Sequence, residues 1–113
     1  MEQHYKLDKI KELADNDTEF IETLAMTFVE EVTEDVGILE TSAISKDYLA
    51  TYKMAHKMKP TIDMFELGVL DELIEVQDWG KLEQRGKDIT EKLNSVVTAV
   101  RNAVEEIKID FNL

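Results

Sequence analysis

Two histidines and no cysteine bound the chemistry open to this 113-residue chain. Without thiols there is no disulfide, no thiolate metal site and no cysteine nucleophile. His4 and His56 lie far apart, and neither belongs to an HxxxH or ExxH pair, so the ligand spacing of a dedicated metal site is missing. Acid–base or triad catalysis asks for an orienting group and a pocket, and the sequence carries no Gly-rich loop and no clustered Ser-His-Asp signal. What a lone imidazole can do is attack phosphorus, provided that a partner brings the metal and the electrophilic centre. An imidazole is mostly neutral, and so nucleophilic, near pH 7.

His56 is the residue placed for that work, in the stretch YKMAHKMKPTID from Tyr52 to Asp63. At 100° per residue, Thr51, Met54, Ala55, Met58, Ile62 and Phe65 gather on one side of a helix, the side expected to face the core. His56 projects about 140° away from the centre of that stripe, toward solvent or a partner. Leu49, Tyr52, Lys59, Pro60 and Asp63 share its face, a more apolar mixture than a solvated face usually carries. From Tyr48 to Ile62 there is no acidic residue, while Lys53, Lys57 and Lys59 all fall inside. Lys59, three residues on, can reach the outer ring nitrogen and favour an anion placed there. Pro60 has no N–H, so the carbonyl of His56 loses its helical partner and the helix is expected to bend. His4 has no comparable surroundings and reads as an isolated surface histidine.

The elements that must hold His56 follow from periodicity. Apolar residues at Phe20, Ile21, Leu24, Ala25, Phe28, Val29, Val32 and Val36 keep the three-four spacing of a long amphipathic helix, with Asn16 or Asp17 as its cap. Ile89, Leu93, Val96, Val97, Val100, Val104 and Ile107 make a second stripe, opened by a capping box of Asp88 and Glu91. Between them, SKDYLATYKMAHKMKPTIDMFE and GVLDELIEVQDWGKLEQRG read as two more helices, Ser45 capping the first and Gly86 stopping the second. A short helix over Lys6–Ala14 leads in. Only four glycines and one proline interrupt the chain, and no segment alternates with the period of a strand. The expected fold is all-α: a single domain over residues 1–113, an antiparallel four-helix bundle with a short additional N-terminal helix.

Composition narrows the partners. Thirteen basic residues against 25 acidic ones give a net charge of −12, which repels nucleic acid and anionic membranes. No apolar run approaches a membrane span, and MEQHYKLDKI has neither a basic leader nor an apolar core. A cytoplasmic monomer is the expectation.

AHKMKPTIDMFELGVL resembles the signature of histidine phosphotransfer (HPt) domains of multistep two-component phosphorelays, in which Ala-His-x-hydrophobic-Lys-Gly precedes a small-residue stretch and a further Gly. LDKIKELADNDTEFIETLAMTFVEEV is similar to the lead-in helix, Gly/Asn-Asp-x-x-Phe turn and second helix of that family, so the resemblance spans about Tyr5 to Gly86. It implies that His56 is the phosphoacceptor, that Lys59 neutralises phosphoryl charge, and that Ala55 and Met58 occupy the small and hydrophobic flanking positions. The implied partners are response-regulator receiver domains and hybrid sensor histidine kinases, with Mg²⁺ on the receiver and no cofactor on this chain. Leu49, Tyr52, Lys53, Pro60 and Asp63 would form the docking patch. A helix hairpin turning at Glu66–Gly68 brings Gln77 alongside His56, as a hydrogen-bonding neighbour or as a polar residue at the core edge. Two positions depart from the family: Pro60 and Glu66 stand where Gly is usual. Two other readings compete. One is a non-catalytic acidic helical adaptor that binds a partner through the Leu49/Tyr52/His56 face. The other is a small helical enzyme with its own pocket.

Overall fold

The helix periodicities are realised as five helices in the computed structural model, which describes residues 4–113: α1 (Asp8–Leu13), α2 (Thr18–Ile44), α3 (Tyr48–Met64), α4 (Leu70–Lys81) and α5 (Thr90–Asp110). Residues 1–3 of the expected domain lie outside the described residues. The fold is all-helical. α2 packs against α3 and α5, α4 packs against the same two, and α3 with α4 forms the most extensive pair. The assembly measures 46 × 23 × 21 Å.

Apolar stripes meet along its axis, where Phe28, Leu39, Met58, Ile62, Leu73, Val96 and Ile107 are essentially sealed from solvent. Each such side chain contributes about 1.5–3 kcal/mol by leaving water. Phe28 and Phe65 stack with ring centroids 4.3 Å apart, joining α2 to the end of α3. Phe20, placed on the stripe by spacing, is instead 44% exposed, and burial begins at Ile21. The N-terminal segment is tied down by the Lys6 amide donating to the Phe65 carbonyl at 2.9 Å, by His4 paired with Glu106, and by the Tyr5 hydroxyl donating to Asp110.

Helix ends are where the sequence-based expectations shift. Asp17 caps α2 as expected, accepting from the Phe20 amide. Ser45 does not cap α3. It closes α2, donating its hydroxyl to the Thr41 carbonyl at 2.9 Å, and the α3 cap is Asp47, which accepts from Ala50 N–H at 3.1 Å. The connection is too short for one residue to serve both ends, because Lys46 is spent on the left-handed turn, at φ 59°. Gly86 likewise does not stop α4, which ends at Lys81. Glu83 takes the left-handed position at φ 45°, and its amide and that of Gln84 close on the Gly80 and Trp79 carbonyls, the two bonds of a Schellman turn. At α5 the expected capping box does not form: Ile89 takes the cap position with no side-chain bond, and Asp88 before it accepts from Thr90 N–H at 2.9 Å. The short leading helix is trimmed to Asp8–Leu13.

Candidate functional site

α3 turns Thr51, Ala55, Met58 and Ile62 fully into the core and leaves His56 exposed on the far side, in mid-helix. The residues flanking His56 in the motif are therefore its anchors: Ala55 and Met58 are 0% and 1% exposed and fix the rotation of the helix that presents the ring. One turn back, the Tyr52 ring lies 6.0 Å from the imidazole, centroid to centroid. The helix continues through Pro60 to Met64, although the Pro60 nitrogen has no hydrogen to give the His56 carbonyl.

The cationic surroundings divide in two. Lys57 reaches across to α2 and binds the buried Asp35 carboxylate at 3.0 Å. That hydrogen bond and then the charge of Asp35 raise the Lys57 pKa, against an opposing effect of burial and with lesser help from the charges of Glu31 and Glu34. Its charge thus belongs to the α2–α3 interface. Lys53 and Lys59 form no ion pair among the described residues, and Lys59 is partly buried along the helix. They lie three residues before and after His56, on its side of the helix, without a carboxylate partner.

Of the expected docking residues, Leu49 is 60% exposed, Pro60 is exposed and Tyr52 is half-buried. Asp63 is engaged by Lys9 of the leading helix at 3.0 Å, with both side chains about half exposed, a pair worth under about 1 kcal/mol. Gln77 is 8% exposed and its Oε1 has no hydrogen-bond partner. No hydrogen bond among the described residues joins it to His56, so what is observed is a buried polar side chain on α4.

Gly80 is the positioning residue that sequence reasoning missed. A Cβ there would meet the Tyr48 carbonyl oxygen at 2.6 Å and the Tyr52 amide nitrogen at 2.8 Å, so α4 lies directly on the α3 backbone one turn before His56. The signal was present as a glycine inside the helical run DELIEVQDWGK, where it costs about 1 kcal/mol relative to alanine. Among the described residues no group of three or more histidine, aspartate or glutamate side chains could hold a metal ion, and no helix is long and apolar enough to cross a membrane. Compared with protein-family models, with curated proteins and with solved structures, the chain finds no match in any of the three.

Proposed function

We propose that this chain is a phosphorelay intermediate of the histidine phosphotransfer kind, carrying a phosphoryl group on His56 between aspartates of receiver domains. The observation that carries the reading is an exposed imidazole in the middle of a core-anchored helix, with the unpaired Lys59 one turn on. In the transfer, the outer ring nitrogen of His56 attacks phosphorus in line as the aspartyl O–P bond breaks, and the electron pair of that bond returns to the receiver's carboxylate. Lys59 offsets charge on the phosphoryl oxygens. The Mg²⁺ belongs to the receiver, so this chain contributes position and a cation.

In this reading the four long helices form an antiparallel bundle in one domain, working as a cytoplasmic monomer whose partners are receiver domains or a hybrid kinase. Leu49, Tyr52, Lys53 and Pro60 surround the histidine as the docking patch, with Asp63 at its margin held by Lys9. The high exposure of Leu49 supports a second reading as well, an acidic helical adaptor for which His56 is incidental. A transfer assay separates them: the protein is mixed with a phosphorylated receiver and Mg²⁺ and label is followed onto the chain, in parallel with His56→Gln. Acid-labile, alkali-stable label that disappears in His56→Gln is the expected result. Absence of label across a broad receiver panel, with the fold intact, leaves the adaptor.

A further inference from the structure

At the end of the molecule where α2 and α4 finish and α3 and α5 begin, a cleft of about 460 Å³ opens between the helix termini. Its charge reverses that of the chain. Three cations, Lys46, Arg85 and Lys87, line it against one carboxylate, Asp88, in a protein where acids outnumber bases 25 to 13. Asp88 already accepts the Thr90 amide. Lys46 and Lys87 have no ion-pair partner among the described residues, and Arg85 has only a loose contact with Glu83 at 3.5 Å, both side chains more than half exposed.

The wall of the cleft is a run of three flat groups in contact. Trp79 is innermost, 3% exposed, its indole N–H donating to the Lys87 carbonyl at 3.0 Å. Tyr48 packs against it, ring centroids 4.6 Å apart and ring planes tilted by 44°. The Arg85 guanidinium covers the Tyr48 ring at 5.1 Å. There the run ends in the open, because the Arg85 side chain is 72% exposed. A guanidinium over an aromatic ring offers its outer face to a further flat group, and the two free lysines at the rim supply what an attached anion needs. The cleft volume falls within the range of small-molecule sites.

We propose that this cleft binds a small anion with a planar aromatic body, of the nucleotide class, the ring continuing the Trp79–Tyr48–Arg85 run and the phosphate meeting Lys46 and Lys87. The site is separate from His56, which lies two turns further along α3, about 12 Å away along the helix axis, and it does not depend on phosphotransfer.

Trp79 is the only tryptophan, so its emission reports the site directly. Titrations with ADP, adenosine and pyrophosphate separate the roles of ring and charge. The expected result is a saturable change with ADP, half-complete below about 1 mM, at least tenfold weaker with adenosine or with pyrophosphate. Arg85→Ala and Lys87→Ala should each weaken ADP several-fold with unchanged helix content by circular dichroism, since the Trp79 hydrogen bond uses the Lys87 backbone. His56→Gln should bind as the parent does, which keeps a failure here distinct from a failure of the phosphorelay reading. No saturable change with ADP up to about 10 mM, pyrophosphate binding as tightly as ADP, or folded Arg85→Ala and Lys87→Ala proteins that bind as the parent would each overturn the proposal.

Discussion

Substituting Gly80 by alanine sets two well-understood effects against each other. In an exposed helix interior alanine is favoured by about 1 kcal/mol, because glycine gives up more backbone freedom on folding. Here the new methyl would stand 2.6 Å from the Tyr48 carbonyl oxygen, 2.8 Å from the Tyr52 amide nitrogen and 3.2 Å from the Tyr52 α-carbon. All three are main-chain atoms of a packed helix and cannot rotate aside as the end of a side chain could. Relief requires α3 and α4 to move apart by several tenths of an ångström along their most extensive contact, loosening the packing of buried side chains that the two helices contribute. Overpacking of this kind costs about 1–3 kcal/mol and more where backbone is struck, so the upper part of that range applies and the propensity gain is outweighed. Gly80→Ala should destabilise the fold by about 1–2 kcal/mol net, lowering Tm by about 4–8 °C for a domain of this size. Thermal and urea unfolding followed by circular dichroism measures it. The sign is the test: a Gly80→Ala protein as stable as the parent or more so would mean that the helices do not approach as described.

Lys59→Ala should slow phosphoryl transfer roughly tenfold, equivalent to about 1.4 kcal/mol, while stability moves by no more than about 0.5 kcal/mol; unchanged transfer rates would remove its role. Glu66 closes α3 in the left-handed region at φ 50°, and its Oε2 is buried without a partner, so Glu66→Gly should stabilise by about 0.5–1 kcal/mol, read from the urea midpoint, and a loss of stability would refute the strain. Pro60→Ala restores an amide for the His56 carbonyl at an exposed position and should add about 1–3 kcal/mol; a gain near zero would mean that the helix bears no penalty there. Tyr5 has its pKa raised, first by burial, then by its hydrogen bond to Asp110 and the charges of Asp110 and Glu106. A raised value means stability that is complete below the unfolded-chain pKa near 10 and declines above it, by at most about 1.4 kcal/mol per pH unit. Lys57, raised by Asp35, declines in the same alkaline range, so Tyr5→Phe should shallow the alkaline slope of stability without abolishing it, and an unaltered slope would refute the assignment.

What the sequence discloses and what it withholds divide along the distance over which each signal acts. The inward face of α3 is a local, periodic property, and Thr51, Ala55, Met58 and Ile62 could be placed in the core and His56 outside it from spacing alone. The same holds for the α5 stripe and, from Ile21 onward, for the inward edge of α2, where Phe20 is the exception. Capping is also local, yet the start of α3 is capped by Asp47 and not Ser45, and α4 closes at Glu83 and not Gly86, because neighbouring residues compete for each turn. Lys46 and Glu83 take left-handed conformations usually given to glycine, and no residue type announces that choice.

The pairings that define the electrostatics of the site act over longer separations. Spacing sets Lys59 on the side of His56 and Lys57 off it, but says nothing of which lysine a distant carboxylate engages. Only packing against α2 assigns Lys57 to Asp35 and leaves Lys59 unpaired. Lys57 and Lys59 are two residues apart and so about 200° around the helix from each other, which keeps them from facing the same neighbour, and Lys59, three residues on from His56, is the one that shares its side of the helix. Of the three lysines written near His56, packing therefore withdraws one, Lys57, and leaves Lys53 and Lys59 unpaired among the described residues. Exchanging the pair's environment, by Asp35→Asn, would free Lys57 without bringing it onto the histidine's face.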